Sequence, residues 1–94
     1  MQDAFRALAD PHRRTILRVL RRGERPAGEL AAATGLSPAA VNHHLMVLKL
    51  ADLVRVERRG QFQVYSLNTT VFQDLVAEVL SLLTDPEHPS GESP

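Results

Sequence analysis

The sequence predicts a small, mainly α-helical domain with one β-hairpin, in the order helix, helix, helix, helix, hairpin, helix. Apolar residues recur at three- and four-residue spacing over most of the 94 residues, which is the period of amphipathic helices. One stretch instead alternates apolar and polar side chains around a glycine, as the two strands of a hairpin do. The composition, 44% hydrophobic and 23% charged, is that of a folded domain. We expect this domain to span residues 1–84 and residues 85–94 to form a disordered acidic tail.

Asp10 and Pro11 separate the first two helices. The first helix is expected over about Gln2–Ala9. Asp10 can cap the second helix by accepting hydrogen bonds from its unpaired amides. Pro11 fits the first helical position, because the N–H that proline lacks would have no partner there. The second helix is predicted to end near Arg22.

A glycine-containing turn joins the next two helices. The third helix is expected to begin near Pro26, and Gly35 ends it because glycine readily adopts the left-handed backbone of a tight turn. Ser37 can cap the fourth helix, with Pro38 at its first position. Apolar side chains at i, i+4 and i+7 mark the buried face of that helix: Val41, Leu45 and Leu48. The arrangement is a helix-turn-helix pattern, although it also fits an ordinary corner of a helical bundle.

Two strands are predicted next, over Leu53–Arg58 and Gln61–Leu67, with Arg59-Gly60 between them. A hairpin directly after a helix-turn-helix favours a winged helix-turn-helix over a plain bundle. The pattern Thr70-x-x-Gln73 is typical of a capping box and predicts the start of the last helix. That helix is expected to reach about residue 84, because Asp85-Pro86 stops it.

The net charge of zero conceals a strong segregation of charge. Residues 1–68 hold all eleven basic side chains and six acidic ones, for a net charge of +5, whereas residues 69–94 carry −5. Ten of the eleven cations are arginines, which form forked hydrogen bonds with phosphates and base edges. The segregation indicates a body that faces a polyanion, with a solvated arginine-rich surface as the alternative.

The composition disfavours several classes of protein. The chain has no cysteine, which rules out a disulfide framework and a thiolate metal site. No apolar run approaches the ~18 residues of a membrane span, and the first residues do not form a signal peptide, so we expect a cytoplasmic protein. There is no glycine-rich phosphate loop, nucleophile elbow or catalytic carboxylate pair, so we expect neither an enzyme nor a cofactor. No metal is expected, because His43 and His44 are adjacent on a helix and cannot converge on one ion.

Several segments together resemble the ArsR-type winged-helix repressors: Ala7–Leu17 (ALADPHRRTIL), Ala27–Ala31, Leu36–Leu48 and Gly60–Val71 (GQFQVYSLNTTV). The last segment is most similar to the SdpR-like autorepressor branch, and the resemblance spans residues 4 to about 80. It implies a homodimeric repressor whose fourth helix enters the major groove of DNA. Many members of this family sense metals, but the cysteine pairs and the Asp/His sets that they use are missing from this sequence.

The resemblance places the base-reading face at Pro38, Ala39, Asn42 and His43, and the wing tip against the DNA backbone or minor groove. Helical spacing agrees, because Asn42, His43, Met46 and Lys49 lie opposite the buried face. The full set of residues expected to contact DNA is Ser37, Pro38, Ala39, Asn42, His43, Lys49, Arg58, Arg59, Gly60 and Gln61.

Two residues of this face depart from the family's pattern, which changes the residues expected to read bases. Pro38 and Ala39 replace residues that in the family more often form side-chain hydrogen bonds, so base readout is expected to rest on Asn42 and His43. His44 lies about 100° round the helix from His43, nearer the buried face, and is expected to be a hydrogen-bonded structural residue.

The last helix carries a wider apolar stripe than its own domain needs. A helix that packs on one core needs a stripe a little over ~100° wide, and this one extends further. We therefore expect a dimer contact that the first helix completes, although its own domain could also absorb the whole stripe. The residues assigned to it are Phe5, Leu8, Phe72, Leu75, Val76, Val79, Leu80 and Leu83.

These observations favour a homodimeric, sequence-specific DNA-binding repressor that needs no ligand or regulates its own promoter. Its operator is expected to be roughly palindromic, because a two-fold dimer reads two half-sites. The alternatives are a winged-helix module that binds another protein and a repressor that responds to an unidentified small molecule.

Overall fold

The structure, a computed structural model, describes residues 1–84. The elements in chain order are α1 (Gln2–Leu8), α2 (Pro11–Leu20), β1 (Arg25–Pro26), α3 (Ala27–Thr34), α4 (Pro38–Leu50), β2 (Val54–Arg59), β3 (Phe62–Leu67) and α5 (Thr69–Ser81). The predicted order of helices and hairpin is confirmed, with α2 ending two residues earlier than expected. The tail predicted over residues 85–94 lies outside the described residues.

Charged side chains form hydrogen bonds with the unpaired backbone groups where α1 ends and α2 begins. The Asp10 carboxylate accepts hydrogen bonds from two amides in the first turn of α2, at 2.8 and 3.2 Å, which confirms the predicted cap. Arg13 Nε donates to the carbonyl of Ala7, and Arg14 Nη1 donates to the carbonyl of Leu8, both at 2.8 Å. The last carbonyls of a helix have no partner within it, so α2 satisfies the end of α1.

The sheet has three strands, whereas the sequence predicted a two-stranded hairpin. The strand order is β1-β3-β2, and β1 pairs antiparallel with β3 through Arg25 opposite Tyr65 and Pro26 opposite Val64. Pro26 was expected at the start of the third helix but lies in β1, one residue before α3. A proline is tolerated in an edge strand, where no ladder hydrogen bond needs its missing N–H. Two residues are too few to show the alternation that identifies a strand.

The hairpin loop is Gly60-Gln61, one residue later than predicted. Arg59 belongs to β2 and pairs with Phe62 of β3, so only two residues remain in the loop. Gly60 has a φ of 60°, in the left-handed region that glycine adopts without steric cost.

The last helix begins without the predicted capping box. Its N-cap is Asn68, and no side chain caps it, so Thr70 lies inside the first turn and not before it. The Asn68 amide oxygen instead accepts a hydrogen bond from Arg55 Nη2 at 3.3 Å. The regular helix ends at Ser81, three residues before the expected end.

The core lies between the helices and the base of the hairpin. Every helix contributes buried apolar side chains, but α3 and α5 contribute only one each. The buried set is Ala4, Ala7, Ile16, Leu17, Leu20, Leu30, Val41, Leu45, Leu48, Leu53, Val54, Val64 and Leu75.

His44 is the polar side chain buried at the edge of this core, as expected of a structural histidine. Its Nδ1 lies 3.4 Å from Arg13 Nη1; because a guanidinium only donates, Nδ1 is the acceptor and the ring is neutral. The His12 and His43 rings lie 5.9 and 5.6 Å away, between ring centres. Burial lowers the pKa of His44, and the charge of Arg13 lowers it further, while Asp10 opposes the shift.

We expect the free energy of unfolding to fall as the pH drops below about 6.5, the ordinary pKa of histidine. The folded protein holds the pKa of His44 below that value, so between the two pKa values the unfolded chain binds more protons. This stability is complete above the ordinary pKa and is lost as the pH falls towards the folded pKa. Chemical denaturation across this pH range measures the effect.

His44→Asn retains an acceptor close to the position of Nδ1 but cannot titrate, so this variant should lose that pH dependence. His43→Asn is the matched control: its side chain is exposed and affects the pKa of His44 less than burial, Asp10 or Arg13 do, so this variant should keep most of the dependence. Identical pH profiles for wild type and His44→Asn would contradict this account.

Candidate nucleic-acid interface

The turn between α3 and α4 sets the angle between these two helices. Gly35 has the left-handed conformation predicted for it, with a φ of 74°, and its amide donates to the carbonyl of Ala31 at 3.0 Å. Ser37 Oγ then accepts from the amide of Ala40 at 3.1 Å, and Pro38 occupies the first helical position. The predicted cap of α4 is therefore confirmed.

One face of α4 is buried and the other is exposed. The buried face is Val41, His44, Leu45 and Leu48, which pack against α2 and α3. Because these positions repeat every three to four residues, they occupy one side of the helix, with Ala40 and Val47 partly buried at its margin. The exposed set is Pro38, Ala39, Asn42, His43, Met46, Lys49 and Leu50.

The exposed face of α4 has the functional groups that a base-reading helix needs. An asparagine amide can pair with the N6 and N7 edge of adenine, and a histidine can donate to guanine or to a phosphate. Lys49, one residue from the end of the helix, adds a positive charge. Pro38 and Ala39 offer only apolar side chains, so the hydrogen-bonding side chains in the first two turns of this face are Asn42 and His43.

The wing extends beside α4 as a two-stranded ribbon. Its tip is exposed from Arg58 to Phe62. Arg58 Nε donates to the carbonyl of Gly60 at 3.2 Å, which holds its side chain across the loop. The wing thus brings a positive charge and the Gln61 amide to its end.

Arg59 differs from Arg58 because carboxylates already surround it. Its Nη1 and Nη2 contact the two carboxylate oxygens of Glu24 at 2.6 and 3.0 Å, and its Nε contacts Glu57 Oε1 at 2.7 Å. The hydrogen bond from Arg59 lowers the pKa of Glu24, and the two carboxylates raise the pKa of Arg59. The sequence gives no sign of the contact with Glu24, which lies 35 residues away.

The residues assigned to the dimer contact lie together on α1 and α5. Phe5, Leu8, Phe72, Leu75, Val76, Val79 and Leu80 line one open apolar groove. Val76 and Leu80 are more than half exposed, at 58% and 55%, and Leu83 just beyond α5 is 83% exposed. Leu75 differs from the others because it is buried in the core of its own chain and forms the floor of the groove.

The part of the chain that the structure describes holds neither a metal-binding cluster nor a membrane-spanning helix. Within residues 1–84, no three His, Cys, Asp or Glu side chains lie close enough to hold a metal ion together. The helices in that range are too short or too polar for any of them to cross a membrane.

Comparison with known sequences relates the chain to transcriptional regulators. A family model described as a helix-turn-helix domain matches residues 8–57. The transcriptional repressor SdpR of Bacillus subtilis (strain 168) is 42% identical over 83 residues, which cover 88% of this chain and 92% of that repressor. The HTH-type transcriptional regulator NmtR of Mycobacterium tuberculosis is 41% identical over 78 residues, which cover 83% of this chain and 65% of NmtR.

Solved structures agree with the sequence matches. A crystal structure of a "possible transcriptional regulator for arsenical resistance" has a TM-score of 0.78 at 34% identity, with 88% of this chain and 86% of that chain covered. A homodimeric winged helix-turn-helix DNA-binding domain from Mycobacterium bovis, a possible ArsR-family regulator, has a TM-score of 0.73 at 32% identity, covering 87% and 76%. The predicted winged helix-turn-helix fold is confirmed.

Proposed function

The chain belongs to the ArsR-type family of winged helix-turn-helix repressors, whose members are DNA-binding transcriptional regulators and not enzymes. From this membership we propose that the protein is a homodimeric repressor that reads duplex DNA with α4 and contacts the flanking backbone with the wing. The observation that carries the proposal is the division of α4 into a buried apolar face and an exposed face with Asn42 and His43.

The dimensions of DNA support this use of α4. The major groove is about 12 Å wide and admits an α-helix, and each base pair presents a distinct pattern of donors and acceptors there. Asn42 lies in the second turn of α4, near the end that a recognition helix presents to the bases. The other end carries Lys49, which suits a phosphate at the edge of the groove.

The apolar groove between α1 and α5 supports a dimer. Its exposed leucine and valine side chains would lose contact with water if a second copy covered them, which is favourable by about 25 cal/mol for each Å² buried. The structural relative from M. bovis is homodimeric. A two-fold axis at this groove would separate the two α4 helices by about one turn of DNA, ~34 Å, and call for a roughly palindromic operator.

Repression without a bound effector completes the proposal. The sequence holds no cysteine, and its four histidines include the adjacent pair His43 and His44. The chain therefore lacks the thiolates of a metal sensor, and two adjacent histidines on a helix cannot bind one metal ion together. The protein would then respond to its own concentration, as in control of its own promoter.

Asn42→Ala tests the base-reading role of α4. We expect it to weaken binding to a selected operator by about 1–3 kcal/mol and to relax the preference at one base position, because a forked contact to adenine is lost. Gln73→Ala is the matched control, since it removes an exposed amide on α5, and it should leave binding unchanged. Selection from a random duplex library supplies the operator, and titration on matched and mismatched duplexes measures both effects.

The same titrations separate the alternatives. The wild-type affinity should fall steeply with salt, since phosphate contacts release counterions, and should be the same in EDTA and in added zinc. If Asn42→Ala binds with the same affinity and base preference as the wild type, α4 does not read the bases through Asn42. A reversible loss of binding in zinc would contradict effector-independent repression, and failure to bind any duplex would favour a protein-binding module.

Val79→Glu with Leu83→Glu tests the dimer. Two carboxylates facing their copies across the axis would be buried without partners, so the double variant should be monomeric and lose specific DNA binding while keeping its helical content. Sedimentation and circular dichroism measure these properties.

The matched control for the dimer test is Ala77→Glu with Ser81→Glu. It adds the same charge to the opposite side of α5, about 140–180° from Phe72, so this variant should remain dimeric. A dimeric Val79→Glu/Leu83→Glu variant, or a wild-type monomer at micromolar concentrations, would show that the groove is not the interface.

A further inference from the structure

The guanidinium of Arg59, at the end of the wing, already contacts two carboxylates. The fork of Nη1 and Nη2 meets both oxygens of Glu24, and Nε meets Glu57. Forked contacts of this kind combine charge with fixed geometry and are stronger than single hydrogen bonds between neutral groups. The three side chains together carry a net charge of −1.

This cluster joins the two outer strands of the sheet. Arg59 is the last residue of β2, and Glu24 precedes β1, with β3 between the two strands. Glu57 lies on the same side of β2 as Arg59, because side chains two residues apart in a strand share a face. The contact therefore connects the wing to the segment between α2 and β1, which belongs to the body of the protein.

We propose that Arg59 is a positioning residue that fixes the wing and offsets one of the two charges of Glu24 and Glu57, while Arg58 supplies the phosphate contact of the wing. The inference rests on the proposed DNA-binding function and assigns different roles to two adjacent arginines. A phosphate would have to displace two carboxylates to reach Arg59. Arg58 has no carboxylate partner among the described contacts and donates only to the carbonyl of Gly60.

Charge balance gives Arg59 a second role beside Glu57 of the wing and Glu24 of the body. Uncompensated carboxylates near phosphates would repel the duplex over about 8–10 Å at moderate salt. Arg59 cancels one of the two charges and holds both carboxylates in place. Its side chain and those of Glu24 and Glu57 are each about half exposed or more, at 50%, 47% and 65%, so substitutions here do not disturb the core.

The test compares the salt dependence of DNA binding in four proteins: wild type, Arg58→Ala, Arg59→Ala and Arg59→Ala/Glu24→Gln. The slope of log affinity against log salt counts phosphate contacts, at about 0.9 for each contact. Removal of Glu24 together with Arg59 restores the wild-type charge of the cluster without restoring the arginine. Affinity for one duplex of fixed sequence is measured for each protein at several salt concentrations.

We expect Arg58→Ala to lower the slope by about one, because one phosphate contact is lost; with affinity at 1 M salt unchanged, this is about an eightfold loss of affinity at 0.1 M salt. Arg59→Ala uncovers a charge of −2 whose repulsion of phosphates is screened by salt, so it should weaken binding most at low salt. Arg59→Ala/Glu24→Gln restores the charge of the cluster, so it should return both the affinity and the slope to near the wild-type values. The inference is overturned if Arg59→Ala/Glu24→Gln still lowers the slope by about one, or if it regains no affinity over Arg59→Ala. Wild-type protein that binds no duplex would contradict the proposed function itself, an outcome separate from these.

Discussion

Burial of one face of α4 is the constraint on which the rest of the structure depends. Val41, Leu45 and Leu48 are at most 1% exposed, and each such side chain contributes about 1.5–3 kcal/mol when removed from water. A rotation of α4 by one residue, 100°, would expose these side chains and bury Asn42 without a partner. The core therefore decides which residues of α4 are exposed, and the DNA-reading face proposed for this helix follows from packing.

Electrostatics organises the surface around that core, and not all of it serves DNA. Arg13 and Arg14 donate hydrogen bonds to the carbonyls at the end of α1. Arg13 also contacts the His44 ring on the buried face of α4. Arg59 is held by Glu24 and Glu57. The +5 charge of residues 1–68 thus overstates the number of cations that can reach phosphates. These arginines hold the end of α1 and the wing, and the proposed function leaves phosphate contacts to the remaining cations.

Local signals predicted the elements that depend on neighbouring residues. Asp10, Ser37 and Gly35 have the caps and the turn expected of them, because each effect acts within four residues. Contacts between distant residues could not be predicted, such as the pairing of β1 with β3 and the contact of Glu24 with Arg59. The capping box at Thr70 failed because Asn68, two residues earlier, already begins the helix. The residues assigned to DNA on α4 are exposed as expected, but their contacts with bases stay predictions.

The most direct measurement of the central claim is the set of backbone amide signals that shift when a short duplex is added to isotopically labelled protein. If the buried face of α4 fixes the DNA-reading face, the shifts should concentrate between Ala39 and Lys49 and between Arg58 and Gln61. The amides of α5 should keep their positions, because that helix faces the partner subunit in this account. Shifts centred on α5, or on the exposed side of α2 around Arg18, with α4 unaffected, would contradict it.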